Sequence, residues 1–253
     1  MNRFEAIWFQ QYFSDAPVYQ WQNIDIFVDD ALTEQDRLMV FSYPALDHQY
    51  TDNLQRNIQH HPARTRIILT SHYLRRVFRT SLNMPDHCCI NTFRDLLTEN
   101  HIKLHIPDRI YYANEPIIMP PAGKNWTMRL LTQSDELIFE NFCHNIDATE
   151  IDNAWVDLEH WAVYGLFVNG NLASACSLLP WDGTQIADVG VLTHPTRRGQ
   201  GLAKHLVNFA HHHIAKQGYV LQYRTQTDNF ASIHLARSLS LSLYACWESL
   251  SFV

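Results

Sequence analysis

The stretch RRGQGLAKHL, residues 197–206, constrains the fold more than any other part of the chain. It holds two of only eight glycines, Gly199 and Gly201, directly after two arginines and a few residues after an apolar run typical of a strand. From Leu202 onward the apolar residues keep helical spacing, so the glycines stand where a strand turns into a helix. Glycines there leave backbone amides uncovered at the positive end of the helix dipole, which binds phosphate. We therefore expect a strand–loop–helix unit that holds a phosphate-bearing ligand.

The residue types around these glycines exclude two common phosphate-binding motifs. A P-loop needs a Lys followed by Ser or Thr, and a dinucleotide fingerprint needs GxGxxG early in a βαβ unit. Here the spacing is GxGxA, late in the chain, with no Lys-Ser or Lys-Thr after it. Neither a nucleoside triphosphatase nor a dehydrogenase is therefore expected.

The pattern Arg198-x-x-Gly201-x-Ala203 resembles the acyl-CoA pyrophosphate loop of the GNAT N-acetyltransferase superfamily, Gln/Arg-x-x-Gly-x-Gly/Ala. The runs GVLTHPTRRGQGLAKHL and QTDNFASIHLARSLSL resemble the family's strand, His-Pro and loop, and its asparagine-opened helix. The resemblance covers roughly residues 126–253. It implies an α/β (α+β) fold with a mixed central sheet flanked by helices. It also implies acetyl-CoA-dependent transfer of an acetyl group to the amine of a small molecule. The whole chain is similar to a two-domain branch that includes zwittermicin-resistance-type acetyltransferases.

Carried over position by position, the resemblance implies one surface for acetyl-CoA. Loop amides meet the pyrophosphate, the preceding strand meets the pantetheine arm, and Asn229 meets the pantetheine or adjoining CoA. A side chain at Gly201 is expected to stand where the pyrophosphate must sit. Two plainer alternatives stay open: the glycines form an ordinary turn, and Asn229 is an N-cap. The cofactor-binding residues implied are Val191, Leu192, Thr193, Arg198, Gly199, Gln200, Gly201, Leu202, Ala203, Lys204, Asn229 and Ser232.

Acetyl transfer needs a group that takes a proton from the amine and one that protonates the leaving thiolate. Asp188 lies where many relatives carry a glutamate base, and it is either that base or a structural aspartate. The tyrosine that serves as acid in much of the superfamily is replaced by Ala236. Ser232 and Tyr244 are the candidate substitutes, with water as a further alternative.

Other side chains are candidates for acceptor binding. Arg224 lies where peptide N-terminal acetyltransferases of the family have a glutamate, so a peptide N-terminus is a less suitable substrate. This arginine is expected to bind a carboxylate or phosphate of the substrate, or to pair with Asp188. Trp155, Trp161 and Trp181 are expected to line the acceptor pocket, although core packing explains each equally well.

The segment EPIIMPPAGKNW, residues 115–126, carries three prolines and a glycine and is the predicted interdomain linker. It divides the chain into a mixed α/β domain of unknown role, residues 1–122, and a GNAT domain, residues 123–253. Predicted strands of the first domain are NIDIFV, RLMVFSY and TRIILTS, and its predicted helices are TDNLQRNIQHH and INTFRDLLTENH.

Charge and composition limit the classes of binding partner that we expect. A net charge of −7 argues against general binding to nucleic acid or acidic membranes. The absence of a signal-like leader or a long apolar run, and five cysteines without CxxC spacing, favour a cytoplasmic protein. The triplet at His211 is interpreted as a solvated helix face, because consecutive helical residues cannot converge on one ion, and no metal is expected.

The sequence leaves the acceptor and the formation of a homodimer open. An alternative function, suggested by Ala236, is a catalytically weak acyl-CoA-binding sensor. A structural or partner-binding protein that has lost its ligand is a third.

Overall fold

The computed structural model of the protein describes residues 1–20, 23–32, 37–43, 64–77, 90–114, 123 and 125–251. The helices in these ranges are α1 (Arg3–Tyr12), α2 (Ser71–Val77), α3 (Ile90–Glu99), α4 (Glu136–Cys143), α5 (Ala148–Ala154), α6 (Leu202–Lys216) and α7 (Phe230–Ser238). The strands are β1 (Tyr19–Gln20), β2 (Ile24–Val28), β3 (Leu38–Tyr43), β4 (Arg64–Leu69), β5 (Asp108–Tyr112), β6 (Trp126–Leu131), β7 (Ala162–Val168), β8 (Asn171–Pro180), β9 (Ile186–Thr193), β10 (Val220–Gln226) and β11 (Ser242–Ser249).

All these strands belong to one mixed sheet, in the order β1-β2-β4-β3-β11-β5-β10-β9-β8-β7-β6. The strands of the first half do not form a separate sheet. Strand β5 lies between β10 and β11 and is antiparallel to both, and β11 in turn pairs with β3. Hydrogen bonding between strands is therefore continuous across the predicted boundary at residue 122. The division into two domains stays a prediction.

Helices cover both faces of the sheet. We call the face that carries α1, α4 and α5 the front face and the face that carries α2, α3, α6 and α7 the back face. Side chains alternate between the two along each central strand, as in β5, where Ile110 and Tyr112 pack in the front and Tyr111 in the back. Burial on both faces explains why these strands read as nearly continuous apolar runs.

The local patterns of the second half predicted its elements well. Asn169 and Gly170 both have positive φ, 52° and 83°, in the tight turn between β7 and β8. Thr132 and Asp135 form the predicted capping box before α4. In the first half, the predicted strands and the helix from Ile90 are present, whereas the predicted helix TDNLQRNIQHH lies outside the described residues. The predicted fold class, a mixed sheet flanked by helices, is confirmed.

Two expectations about α6 and the chain end were wrong. His211 is only 6% exposed, so the histidine triplet is not a solvated face, because α6 packs one of its members inward. The end of the chain was expected to form more than one closing strand, and its described residues form a single strand, β11.

Two kinds of feature are absent from the residues that the structure describes. Across the described residues, no three His, Cys, Asp or Glu side chains are grouped closely enough to hold a metal ion. In the same part of the chain, no helix is long and apolar enough to cross a membrane.

Candidate functional site

The central feature is a cleft between β9 and β10. These parallel strands pair over only three positions, ending at Gln222 opposite Asp188. Beyond this point β9 runs on to Thr193, paired only with β8, and β10 runs on to Gln226, paired only with β5. Residues 189–193 and 223–226 therefore face each other across the cleft, each with one backbone edge open to a ligand.

The glycine loop follows the end of β9. Gly199 and Gly201 have φ of 74° and 73°, the left-handed region that favours glycine, and Gly201 is the N-cap of α6. In the described part of the chain, the amides of residues 199–204 donate no hydrogen bond of normal geometry; the first to do so is that of His205, to the Gly201 carbonyl at 3.2 Å. Six consecutive amides beside a helix N-terminus form an anion-binding surface.

Space around the glycines is open. A Cβ at Gly199 meets no atom within 4 Å, and one at Gly201 meets only the His205 ring at 4.0 Å. Protein packing therefore does not require glycine at either position. The backbone conformation requires it, and the open side is free for a ligand.

Arg198 does not point freely into this space. Its Nη2 lies 2.5 Å from Glu150 Oε2 on α5, and its Nε donates to the Thr193 carbonyl at 3.3 Å. Both side chains of the ion pair are nearly half exposed, at 47% and 45%, so the pair contributes little to stability.

The cleft opens into a cavity of about 460 Å³. Its walls come from β9 and β10, the start of α7, the end of α5 and the first residue of β5. The lining residues used below are Asp108, Glu150, Trp155, His160, Ser177, Asp188, Gly190, Val191, Leu192, Thr193, Arg198, Tyr223, Arg224, Asn229 and Ser232.

On the front face, Asp188 is held by an ordered set of partners. Arg224 places Nε and Nη2 each 2.8 Å from Asp188 Oδ2, and Gln222 Nε2 donates to Asp188 Oδ1 at 3.2 Å. Gln222 is fully buried, and its Oε1 accepts from Trp8 Nε1 of α1 at 3.1 Å. The predicted pairing of Arg224 with Asp188 is present, and α1 supports it through Gln222.

Arg224 also contacts two aromatic rings and a second carboxylate. Its guanidinium lies 4.6 Å from the Trp181 ring centroid and 5.2 Å from that of Trp247. Its Nη1 lies 3.7 Å from Asp108 Oδ2, longer than a hydrogen bond. Burial raises the pKa of Asp108 above its ordinary value, although Arg224 opposes that rise.

On the back face, Tyr223 points toward α7. It is 4% exposed, and burial raises its pKa to about 12, while a hydrogen bond with the Ser232 side chain works against that rise. Asn229 Oδ1 accepts from the Ser232 amide at 3.1 Å, so Asn229 is the N-cap of α7. Tyr223 is therefore a protonated phenol at neutral pH, beside the helix that borders the cavity.

A further polar group closes the cavity at the end of α5. His160 Nδ1 lies 2.8 Å from Ser177 Oγ, and burial lowers the pKa of His160, so it is mostly neutral at pH 7. A Cβ at Gly190 would lie only 2.1 Å from the Ala154 carbonyl oxygen. The end of α5 thus presses directly on β9, and only glycine fits there.

The Acetyltransferase (GNAT) family matches residues 128–240. The matched segment spans β6 to α7, including the cleft strands and the glycine loop. This segment, less than half of the chain, is similar to the GNAT acetyltransferase family.

Among solved structures, similar proteins include a GNAT-family acetyltransferase from Colwellia psychrerythraea (21% identity, TM-score 0.49, 64% of this chain and 62% of that one). Others are a GCN5-related N-acetyltransferase from Kribbella flavida (13%, 0.46, 62% and 62%) and the ribosomal-protein-S18-alanine N-acetyltransferase from Escherichia coli (18%, 0.39, 49% and 91%). The chain thus spans 62% of the length of the first two. No curated protein matches it.

Several predicted residues of the GNAT segment converge on the cavity. Asp188, Arg224, Ser232, Asn229 and Arg198 line it, as do Val191, Leu192 and Thr193 of β9. The predicted loop residues 199–204 are not among those that line the cavity, and three further predicted residues lie elsewhere in the fold. The Trp161 ring packs on Tyr219 at 4.5 Å, and Trp181 lies in the front-face core beside Trp8.

Tyr244 is the third. Its hydroxyl lies 3.1 Å from that of Tyr43 in the front-face core, away from the cleft, because β5 separates β11 from β10. Ala236, at the usual position of the acid, is fully buried in the back-face core.

Sequence reasoning missed three residues that line the cavity. Tyr223 directly precedes Arg224 on β10. Because side chains alternate along a strand, the sequence could have placed Tyr223 on the wall of the cleft opposite Arg224. His160 lies in a loop with no motif. Asp108 belongs to the half without a recognisable motif, and no local signal shows that its strand inserts beside β10.

Proposed function

We propose that the protein is an acetyl-CoA-dependent N-acetyltransferase that acts on a small-molecule amine. One observation carries the proposal: six unpaired amides at the start of α6 adjoin a cleft with two open strand edges. This arrangement suits a ligand with a diphosphate at one end and a peptide-like arm. Cytoplasmic location and a homodimer remain expectations.

The residues present fit acetyl-CoA. Amides of residues 199–204 would hold the diphosphate, with Arg198 free to exchange Glu150 for a phosphate oxygen. The open edge of residues 189–193 would pair with the amides of the pantetheine arm, and Asn229 borders its path. When bound, acetyl-CoA supplies the thioester carbonyl that the amine attacks.

Groups on opposite faces would then reach the reacting atoms from opposite sides of the cleft. On the front face, the carboxylates around Arg224 attract and orient the ammonium form of the acceptor. On the back face, Tyr223, with Ser232 beside it, is a protonated hydroxyl suited to donate to the leaving sulfur. This assigns to Tyr223 the role that Ala236 cannot fill.

The test has two parts. Calorimetric titration with acetyl-CoA should show binding, and a thiol-reactive dye should report CoA release when primary amines are added. Tyr223→Phe should leave binding of acetyl-CoA within about twofold and lower kcat by about 10²-fold, the usual contribution of a general acid. Binding without release for any amine would favour the acyl-CoA sensor. Failure to bind CoA at millimolar concentration would contradict both.

A further inference from the structure

Asp108 comes from the half of the chain outside the GNAT match, yet it lines the reaction cavity. It is the first residue of β5, opposite Gln226 on β10. Register places Asp108 on the same face as Arg224 and Asp188, because Ile110 lies opposite Arg224 and Gln222 lies opposite Asp188. The inserted strand therefore brings a second carboxylate to the front wall of the cleft.

The two carboxylates differ in how their oxygens are occupied. Both oxygens of Asp188 already accept hydrogen bonds, from Arg224 and Gln222. Asp108 is 3.7 Å from the nearest Arg224 nitrogen, and no donor among the described residues reaches its carboxylate at hydrogen-bonding distance. Asp108 therefore has acceptor capacity for an outside donor, whereas Asp188 is engaged in positioning Arg224.

The charges that face Asp108 favour a cationic guest. Arg224 from β10, Asp188 from β9 and His105 from the segment before β5 are the groups that act on it. Glu150, Arg198 and His160 line the cavity farther along, and the first two neutralise each other. Asp108 and Asp188 share the single guanidinium of Arg224, so these three side chains together carry a net negative charge. Asp108 is partly shielded, its side chain 18% exposed, which strengthens its attraction for a cation.

We propose that Asp108 binds the ammonium group of the acceptor and takes its proton, and that the acceptor is a compact amine with a positive charge and no carboxylate at the reacting end. The inference rests on the proposed acetyltransferase function. One N–H proton passes to Asp108 Oδ2. The freed lone pair then forms the N–C bond as the C–S bond breaks. A second N–H proton ends on the CoA sulfur, and Asp108 releases its proton to solvent. Burial that raises the pKa of Asp108 makes it a stronger base than an exposed aspartate.

The first measurement is amine binding to the full chain in the presence of CoA. Calorimetry would compare 1,4-diaminobutane, n-butylamine and 4-aminobutyrate, which share a four-carbon chain and differ in charge. The diamine should bind most tightly and 4-aminobutyrate least. Asp108→Asn should weaken diamine binding by at least about tenfold, and Asp108→Glu should recover part of it. Equal binding of all three amines, or an unchanged affinity in Asp108→Asn, would overturn the proposal.

The second measurement is the pH profile of kcat/KM, followed to the acid side as far as the protein stays folded, with the amine that binds best. Deprotonation of Asp108 should raise the rate on the acid side, and Asp108→Asn should remove that rise and lower kcat/KM by at least about 10²-fold. Asp188→Asn is the matched control: it disturbs Arg224 but should keep the acid limb. An acid limb that is lost in Asp188→Asn and kept in Asp108→Asn would show that Asp188 is the base. Acetyl-CoA affinity, measured in parallel, should be unchanged in both variants. If the wild-type protein does not bind acetyl-CoA, that result would count against the proposed function and not against the role of Asp108.

Discussion

At the scale of single residues, Gly201 decides whether the loop before α6 can present its amides. Its φ of 73° costs a residue with a side chain about 1–2 kcal/mol, and its open side faces the expected diphosphate. A β-branched residue would both oppose this conformation and occupy the ligand's space.

Gly201→Val should therefore weaken acetyl-CoA binding by at least about a hundredfold in calorimetric titration, because several charge-assisted bonds are lost together. Gly218→Val is a matched control. Gly218 has φ of 85° near the other end of α6, and its nearest side-chain atoms are 3.8 and 3.9 Å from a built Cβ. Both variants should lose similar stability in a thermal melt. Equal loss of CoA affinity in both would show that the backbone cost, and not the site, explains the result.

Gly190 is under a different constraint, since its φ is not positive. A Cβ there collides with the Ala154 carbonyl oxygen at 2.1 Å, and backbone cannot move aside as a side chain can. Gly190→Ala should lower the free energy of unfolding by about 1–3 kcal/mol, measured by denaturant titration. Gly165→Ala should cost less, because its Cβ meets the ends of two leucine side chains. A Gly190→Ala variant as stable as the wild type would show that α5 is not held against β9.

At the scale of elements, α5 and the glycine loop are joined by Glu150 and Arg198. Glu150 would compete with a bound diphosphate for the arginine. Glu150→Gln should therefore tighten acetyl-CoA binding about two- to fivefold at low ionic strength, and the gain should shrink as salt screens it. Arg198→Ala should have the opposite sign. Weaker binding in Glu150→Gln would mean that the pair positions Arg198 for the ligand instead of withholding it.

Elements were more predictable than their pairing. The Asn169-Gly170 turn, the capping box at Thr132 and the helix after Gly201 depend on neighbours in the chain, so local pattern sufficed. The same holds for the cleft residues of β9 and α7. The partner of a strand is decided by contacts far along the chain, which no window contains, so β5 beside β10 was not foreseen. For that reason Tyr244 was wrongly expected at the site, and Asp108 was missed.

At the scale of the whole molecule, β5 makes the two halves of the chain interdependent. It pairs with β10 and β11 on its two sides, and Ile110, which it adds to the front core, is fully buried. A fragment of residues 123–253 keeps the CoA residues but loses this central strand. We expect it to be insoluble or unfolded when expressed alone, and to regain CoA binding when produced together with residues 1–122. A soluble fragment with normal CoA affinity would contradict this expectation.

The inserted strand also bears on how the chain folds as it leaves the ribosome. Residues 108–112 emerge long before their partners at 220–226 and 242–247. Strand β3 likewise pairs with β11, the last strand to be synthesised. Domains usually fold in turn during synthesis, but here the first half cannot complete its hydrogen bonds until translation is nearly over. Such distant pairings fold slowly, because a long loop must close before any bond is gained. Nascent chains therefore hold three unpaired strand edges, two on β5 and one on β3, for much of their synthesis, a state in which chaperones would be needed most.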